Sequence, residues 1–362
     1  MTRPAAARRH LEAIAAAPRP AGSSAETAAR RHCCATLTSL GCSVNEEPFA
    51  YSALPGRFGT PAVGWCSIAV LAIVGHLAFH GAPRAALAVL VGVGAAIGVI
   101  GVWSARRGVL DLPWFRATGV NLVATRGTPR VWLVAHLDSK SQPIPILLRA
   151  LGVTVSMALW ILALGLLLSQ LAGANVVALW PWVSIAGLLA GAPVAASIVQ
   201  ARSPGVLDNA SGAAAVLEAV AALPREHSVG ILLTSAEELG LAGARAWVAQ
   251  RRAGIAINCD GIDDTGVLRF TFTGRRPVQL LDALTRAARA QGERWVTRRL
   301  PPGVLVDSVA LADSGWHAVT VSRGTVRTVS RIHTPGDNLT MVDGRGSDRV
   351  AAVIARAVRE LI

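Results

Sequence analysis

A chain of 362 residues can hold one large domain or two ordinary ones. Hydrophobic residues make up 52% of it and the mean hydropathy is +0.46, which argues against a purely soluble enzyme. Only 16% of residues are charged, yet the net charge is +13, and every basic residue except Lys140 is an arginine. No basic run is interleaved with aromatics, so nucleic acid is not an expected partner.

The N-terminal MTRPAAARRHLEAIAAAPRP has arginines but no continuous apolar core, so no cleaved secretion signal is expected. Helices are predicted over Ala5–Ala17 and Ala25–Leu40, followed by a strand over Ser43–Phe49. Two apolar stretches then follow, near 61–80 and 85–103, joined by the tight turn around Pro83. Strands are predicted at Asn121–Thr125 and Val131–Ala135. Two further apolar stretches cover about 150–171 and 176–199. Each of the four is long enough for a bilayer, which takes about 20 helical residues, and each is apolar on every face. Trp65, Trp103, Trp180 and Trp182 lie near the ends, where interfacial tryptophans are expected. The pairs Gly94/Gly98 and Gly187/Gly191 have the spacing of close helix contacts.

After Gln200 the pattern alternates. Helices are predicted at Ser211–Ala222, Leu239–Arg252, Val278–Ala290 and Ser347–Leu361, and strands at Val229–Thr234, Ile255–Cys259, Leu268–Phe272 and Val319–Ser322. This reads as an α/β fold, a three-layer α/β/α sandwich with a mixed, mostly parallel sheet. The expected organisation is a globular domain in three pieces (1–60, 104–146 and 201–362), interrupted by two transmembrane hairpins (61–103 and 147–200). The five cysteines, Cys33, Cys34, Cys42, Cys66 and Cys259, show no disulfide framework and suit a reducing compartment.

Five short motifs carry metal-ligand chemistry. VAHLDS ends a buried strand with His136 and Asp138, which the two-residue period places on one side. GVLDNASG puts Asp208 just before a helix. TSAEELGLAG offers the adjacent acids Glu237 and Glu238, which near a core need cations. INCDG ends a strand with Asp260, and IHTPGDN sets His333 on a loop. Together they provide two imidazoles, a carboxylate able to bridge, further carboxylate ligands, and one acid left over for proton transfer. Glu238 is assigned as ligand, Glu237 as general base, and Asp138 as the buttress of His136. His136 precedes the third apolar stretch and Asp208 follows the fourth, so both insertions must cross a bilayer an even number of times. Arg57, Arg106, Arg107, Arg116, Lys140, Arg149 and Arg202 flank the domain-side ends, against Arg84 alone in the opposite turns. The positive-inside rule then predicts a multi-pass protein of the cell membrane with its catalytic domain in the cytoplasm.

On these motifs, and on PRPAGSSAETAARRHCCATLTSLGCSVNEEPF near the N-terminus, the chain resembles the di-zinc aminopeptidase family (metallopeptidase clan MH, family 28). The resemblance implies two zinc ions bridged by Asp208, with His136 and Asp260 completing one site and Glu238 and His333 the other. It also implies an eight-stranded mixed sheet, a cis bond between Asp208 and Asn209, and a peptide substrate cut at its N-terminus. The resemblance leaves two alternatives open: a single-zinc amide-bond cyclase or carboxypeptidase-like relative, and a membrane scaffold without turnover. The sequence departs from the family in three places. Tyr51 is the only tyrosine and lies far from every motif, which leaves the tetrahedral intermediate to the zincs or to a residue such as Ser308 or Arg323. A common Ser-Asp-His stretch reads Val306-Asp307-Ser308. About seventy residues separate His136 from Asp208.

Overall fold

The computed structural model describes residues 5–362, which form two compact units. One comprises the chain up to Ala53 together with Val109–Ser141 and Ala201–Ile362; the other comprises Leu54–Gly108 and Gln142–Gln200.

The first unit is built on one eight-stranded sheet. Its strands are β1 (Ser43–Ser52), β2 (Arg116–Arg126), β3 (Val131–His136), β4 (Val229–Thr234), β5 (Ile255–Ile262), β6 (Val267–Phe272), β7 (Trp295–Arg299) and β8 (His317–Gly324). They run in the order β1-β2-β4-β3-β5-β8-β6-β7. The pairings β3–β4, β3–β5, β5–β8 and β6–β7 are parallel, and β1–β2, β2–β4 and β6–β8 are antiparallel, so the sheet is mixed and mostly parallel. The central strands β3 and β4 are apolar along nearly their whole length, as suits strands covered on both faces. Leu133, Ala135, Ile231, Leu233 and Ile257 face the helices Arg8–Ile14, Ser211–Ala222 and Arg345–Leu361. The alternate residues Val134, Leu232 and Ala256 face Trp247, Leu311 and Trp316. Period-2 alternation therefore separates two cores, and the α/β/α layering follows.

Several boundaries differ from the sequence expectation. The helix expected over 239–252 is a single turn, Glu237–Leu239, followed by Ala242–Val248. Gly240 (φ 101°) and Leu241 (φ 60°) break it with left-handed backbone. The strand β7 escaped the sequence reading because its arginines mask the alternation of an edge strand. The first apolar helix starts at Leu54 and not near residue 61, with Pro61 inside it.

The second unit contains the four helices long and apolar enough to cross a membrane: Leu54–Phe79, Pro83–Asp111 (its last turn in the first unit), Ile146–Leu171 and Val177–Ala195. Trp65 and Trp182 are exposed, but Trp180, expected at an interface, is fully buried, its Nε1 donating to Gln170 Oε1 at 2.8 Å. Glycines set the closest approaches. A Cβ at Gly64 would stand 2.7 Å from Ala195 Cα, and one at Gly187 2.7 Å from Leu71 Cδ1, whereas one at Gly98 would meet nothing within 4 Å. Gly64→Leu is therefore expected to cost at least roughly 1–3 kcal/mol through backbone overpacking. Gly98→Leu should be nearly neutral. Thermal unfolding of the two purified full-length variants checks the contrast, and equal melting temperatures would contradict it.

Candidate metal centre

Parallel strands expose their C-terminal ends along one edge, and three neighbours in the sheet deliver site residues there. The strand β3 ends at His136, β4 leads through Ser235 and Ala236 to Glu237 and Glu238, and β5 carries Asp260 near its end. Ala236 adopts φ 57°, turning the chain sharply so that the paired acids fold back over the edge. Asp208 comes from the loop before the helix Ser211–Ala222, and His333 from the loop after Val326–Arg331, itself at φ 64°. Left-handed backbone at non-glycine residues costs of order 1–3 kcal/mol and concentrates at functional sites.

These residues gather into two adjoining donor groups, His136–Glu237–Asp260 and Asp208–Glu238–His333. Within each group the donor atoms lie within 4.8 Å of one another. Asp208 joins the two: its Oδ1 is 3.0 Å from His136 Nε2 and its Oδ2 is 3.0 Å from His333 Nε2. His333 Nε2 also lies 3.2 Å from Glu238 Oε1, and Glu237 Oε2 is 3.9 Å from His136 Nε2. Glu237, assigned from sequence as the base, is thus placed among the donors of the first group.

The surroundings orient these side chains. His136 Nδ1 is 3.0 Å from the Asp138 carbonyl, which only accepts, so Nδ1 holds a proton and Nε2 is the nitrogen turned toward Asp208 and the candidate metal position. The Asp138 carboxylate lies beside His136 and also serves the turn after β4. Its oxygens accept from Glu237 N–H and Glu238 N–H, both at 3.1 Å, and Oδ1 stays 3.6 Å from His136 Nδ1. Two backbone donors converge on it from the turn after β4, so it holds the paired glutamates while its main chain holds the imidazole. The Asp208–Asn209 peptide bond is cis. Asn209 Nδ2 donates to Cys259 O at 2.8 Å, which ties this loop to β5. Asp337 accepts from Leu207 N–H at 2.6 Å and Asp208 N–H at 3.1 Å.

Arg19 lies beneath this edge, with no exposure at all. Its Nε donates to Leu137 O at 2.7 Å, its Nη2 to Gly205 O at 3.0 Å, and its Nη1 to Pro204 O. One guanidinium therefore clamps the segments that carry His136 and Asp208, with Ser139 Oγ adding a bond to Ser203 O at 3.0 Å.

Electrostatically, the site is a set of buried acids in need of cations. Burial, only partly opposed by His136, pushes Asp260 up to about 8. Burial likewise raises Glu237 well above the usual carboxylate range, and Glu238 and Asp260 add to the rise. Asp307 is raised to about 6 by burial, although Thr234 Oγ1 donates to it at 2.5 Å. Burial opposes ionisation of Glu238 too, yet Lys140 and His333 draw it down to about 2. Burial lowers the basicity of His136, but Glu237, Asp138 and Asp208 outweigh it and raise the ring well above its ordinary value. A nitrogen–oxygen donor set that is buried, acid-rich and histidine-containing fits zinc. The buried His333 Nδ1 has no hydrogen-bond partner among the described residues.

Residues 121–358, which include every candidate donor, match the model of Peptidase family M28, and the chain belongs to that family. No curated protein matches the sequence. Among solved structures, the aminopeptidase from Aneurinibacillus sp. strain AM-1 superposes with a TM-score of 0.57 at 15% identity, covering 98% of this chain and 92% of that one. BSAP, a zinc aminopeptidase from Bacillus subtilis, gives 0.56 at 13% identity, covering 98% and 94%. The glutaminyl cyclase from Fimbriiglobus ruber gives 0.55 at 14% identity, covering 98% and 93%. These likenesses establish a common fold.

Sequence reading missed the supporting residues, although each left a trace. Lys140 stood out only as the single lysine and as one of the basic residues flanking the apolar stretches, Arg19 only as part of PRPAGSS, and Asp337 only as the acid four residues after His333. Ser308 Oγ is 2.6 Å from Thr320 Oγ1, and Arg323 Nη1 donates to Glu293 Oε2 at 2.6 Å. Because Asp337 fixes the backbone of Asp208, Asp337→Ala is expected to weaken zinc retention roughly 10- to 100-fold. Competition with a chromophoric chelator measures this, and unchanged retention would count against the role.

Proposed function

We propose that the chain is a membrane-anchored, zinc-dependent exopeptidase, an aminopeptidase that hydrolyses the N-terminal bond of a peptide. One observation carries the reading: two donor groups share an edge through Asp208, each of whose oxygens faces a different histidine. Asp208 would bridge two ions, His136 and Asp260 would hold one, and Glu238 and His333 the other. Bound zinc supplies Lewis-acid polarisation of the scissile carbonyl and makes water acidic enough to attack at neutral pH.

The chain's own residues do the rest. Glu237 takes a proton from the attacking water as the carbon–oxygen bond forms, then passes it to the leaving amine as the carbon–nitrogen bond breaks. Asp138, bonded to the N–H groups of both glutamates, keeps Glu237 and Glu238 in divergent roles on one turn. Arg19 and Asp337 hold the Asp208 loop while the reaction passes. The four long apolar helices support anchoring in a lipid bilayer as two hairpins. An even number of crossings returns the chain to the side it left, and the arginine distribution supports the cytoplasm for the peptidase pieces (1–60, 104–146 and 201–362). Two donor groups favour this reading over that of a single-zinc cyclase.

Purified full-length protein should hold two zinc ions per chain by elemental analysis and release N-terminal amino acids from a peptide library. Chelation should abolish the release. Glu237→Gln should lower kcat by at least 100-fold, at the low end of what a general base contributes, with zinc content unchanged. Full turnover by that variant would remove the proposed base, and a single ion per chain would favour the cyclase reading.

A further inference from the structure

Lys140 is the only lysine in a chain that has arginine at every other basic position. Its Nζ lies 2.6 Å from Glu238 Oε2, while Glu238 Oε1 lies 3.2 Å from His333 Nε2, in the second donor group. The carboxylate is shared, one oxygen with the ammonium and the other with the candidate metal position. The identity of the cation matters here. An arginine at this point would present a planar fork suited to gripping both oxygens at once. An ammonium is a point charge that occupies one oxygen and has three N–H donors, so capacity remains after Glu238 is served. The Lys140 side chain is 18% exposed against 5% for Glu238, so the lysine is the more accessible side chain of the pair.

Amide hydrolysis places negative charge on the carbonyl oxygen, and a fixed donor aimed at that oxygen is commonly the largest protein contribution to the rate. Several other donors near the site have tasks already. The N–H groups of Glu237 and Glu238 bond to Asp138. Ser308 is buried against Thr320, Arg323 is paired with Glu293, and the Arg19 guanidinium serves three carbonyls. Tyr51 lies in β1, opposite Ala117 of β2.

We propose that Lys140 is a catalytic residue whose ammonium, held in place by Glu238, donates to the scissile carbonyl oxygen as that oxygen becomes negative. When the carbonyl reforms and the carbon–nitrogen bond breaks, the charge leaves the oxygen and the ammonium keeps its protons. No covalent bond to lysine forms. The inference rests on the hydrolase reading above and names the residue that stabilises its transition state.

The test compares full-length, zinc-loaded wild type with Lys140→Met, Lys140→Gln and Lys140→Arg. It measures kcat and KM on a short peptide, zinc content, and zinc retention against a chelator. Removing the ammonium should lower kcat about 100-fold or more, as loss of one such donor does, with little change in KM. Zinc retention in the Met and Gln variants should equal or exceed wild type, because a cation competing for Glu238 has gone. The Arg variant should retain zinc at least ten times less well, since its fork takes both oxygens. Joint loss of activity and zinc in the Met and Gln variants would reduce Lys140 to a structural role and overturn the inference, as would wild-type kcat in either. Two neutral variants are used so that a folding defect in one does not decide the matter. A zinc-loaded wild type that hydrolyses no peptide would instead strike the hydrolase reading, separately from Lys140.

Discussion

The mutual repulsion of buried carboxylates governs this molecule. Asp138, Asp208, Glu237, Glu238 and Asp260 meet at one edge of a sheet with Asp307 close behind, and all are buried or nearly so. Charges removed from water must be paired, and an acid that cannot be paired takes up a proton. Lys140 and the two imidazoles compensate part of this set, and burial lifts Asp260 and Glu237 out of the usual carboxylate range. On the proposed reading, a pair of divalent cations would resolve the remainder. The same reasoning accounts for the backbone N–H groups aimed at Asp138 and Asp337, which compensate acids that lie outside either donor group.

Holding such a cluster together requires loops to be fixed against their own repulsion. The strongest device is the Arg19 guanidinium, which gathers carbonyls from the two segments bearing His136 and Asp208. Those segments are separated in the chain by the whole of Gln142–Gln200, which belongs to the other compact unit. With Ser139 bonded to Ser203 and Ser141 Oγ accepting from Arg202 N–H at 2.8 Å, polar contacts within the first unit close the insertion at its root. A long insertion costs little in closure entropy once its ends are held, which explains how so large a segment can enter between two site residues. Arg19 itself lies outside the stretch that matches the family model.

Much of this was legible in the linear chain because its signals are local. Uninterrupted apolar runs marked four helices, and short apolar runs marked the central strands, for burial on both faces leaves few polar positions. The motifs HLDS, LDNASG, AEELG, CDG and HTPGDN stood out because acids and histidines at the ends of apolar strands are costly without a cation. Less was legible where position depends on distant partners. Trp180 looked interfacial by its place near a helix end, yet Gln170 offers an acceptor that lets it bury completely. The helix expected after Glu238 is broken by a left-handed Leu241, a conformation that leucine rarely adopts and that no propensity announces.

By itself, then, the chain of residues determined the layered α/β class, the apolar hairpins and the inventory of donors, since hydrophobic period and residue chemistry act over a few neighbours. Which oxygen faces which imidazole, that Asp138 serves the glutamate turn through its carboxylate and His136 through its carbonyl, and that a solitary lysine reaches Glu238 were decided only by tertiary structure. Those relations join residues up to 125 positions apart, and a hydrogen bond depends on angstroms in space that sequence separation does not encode.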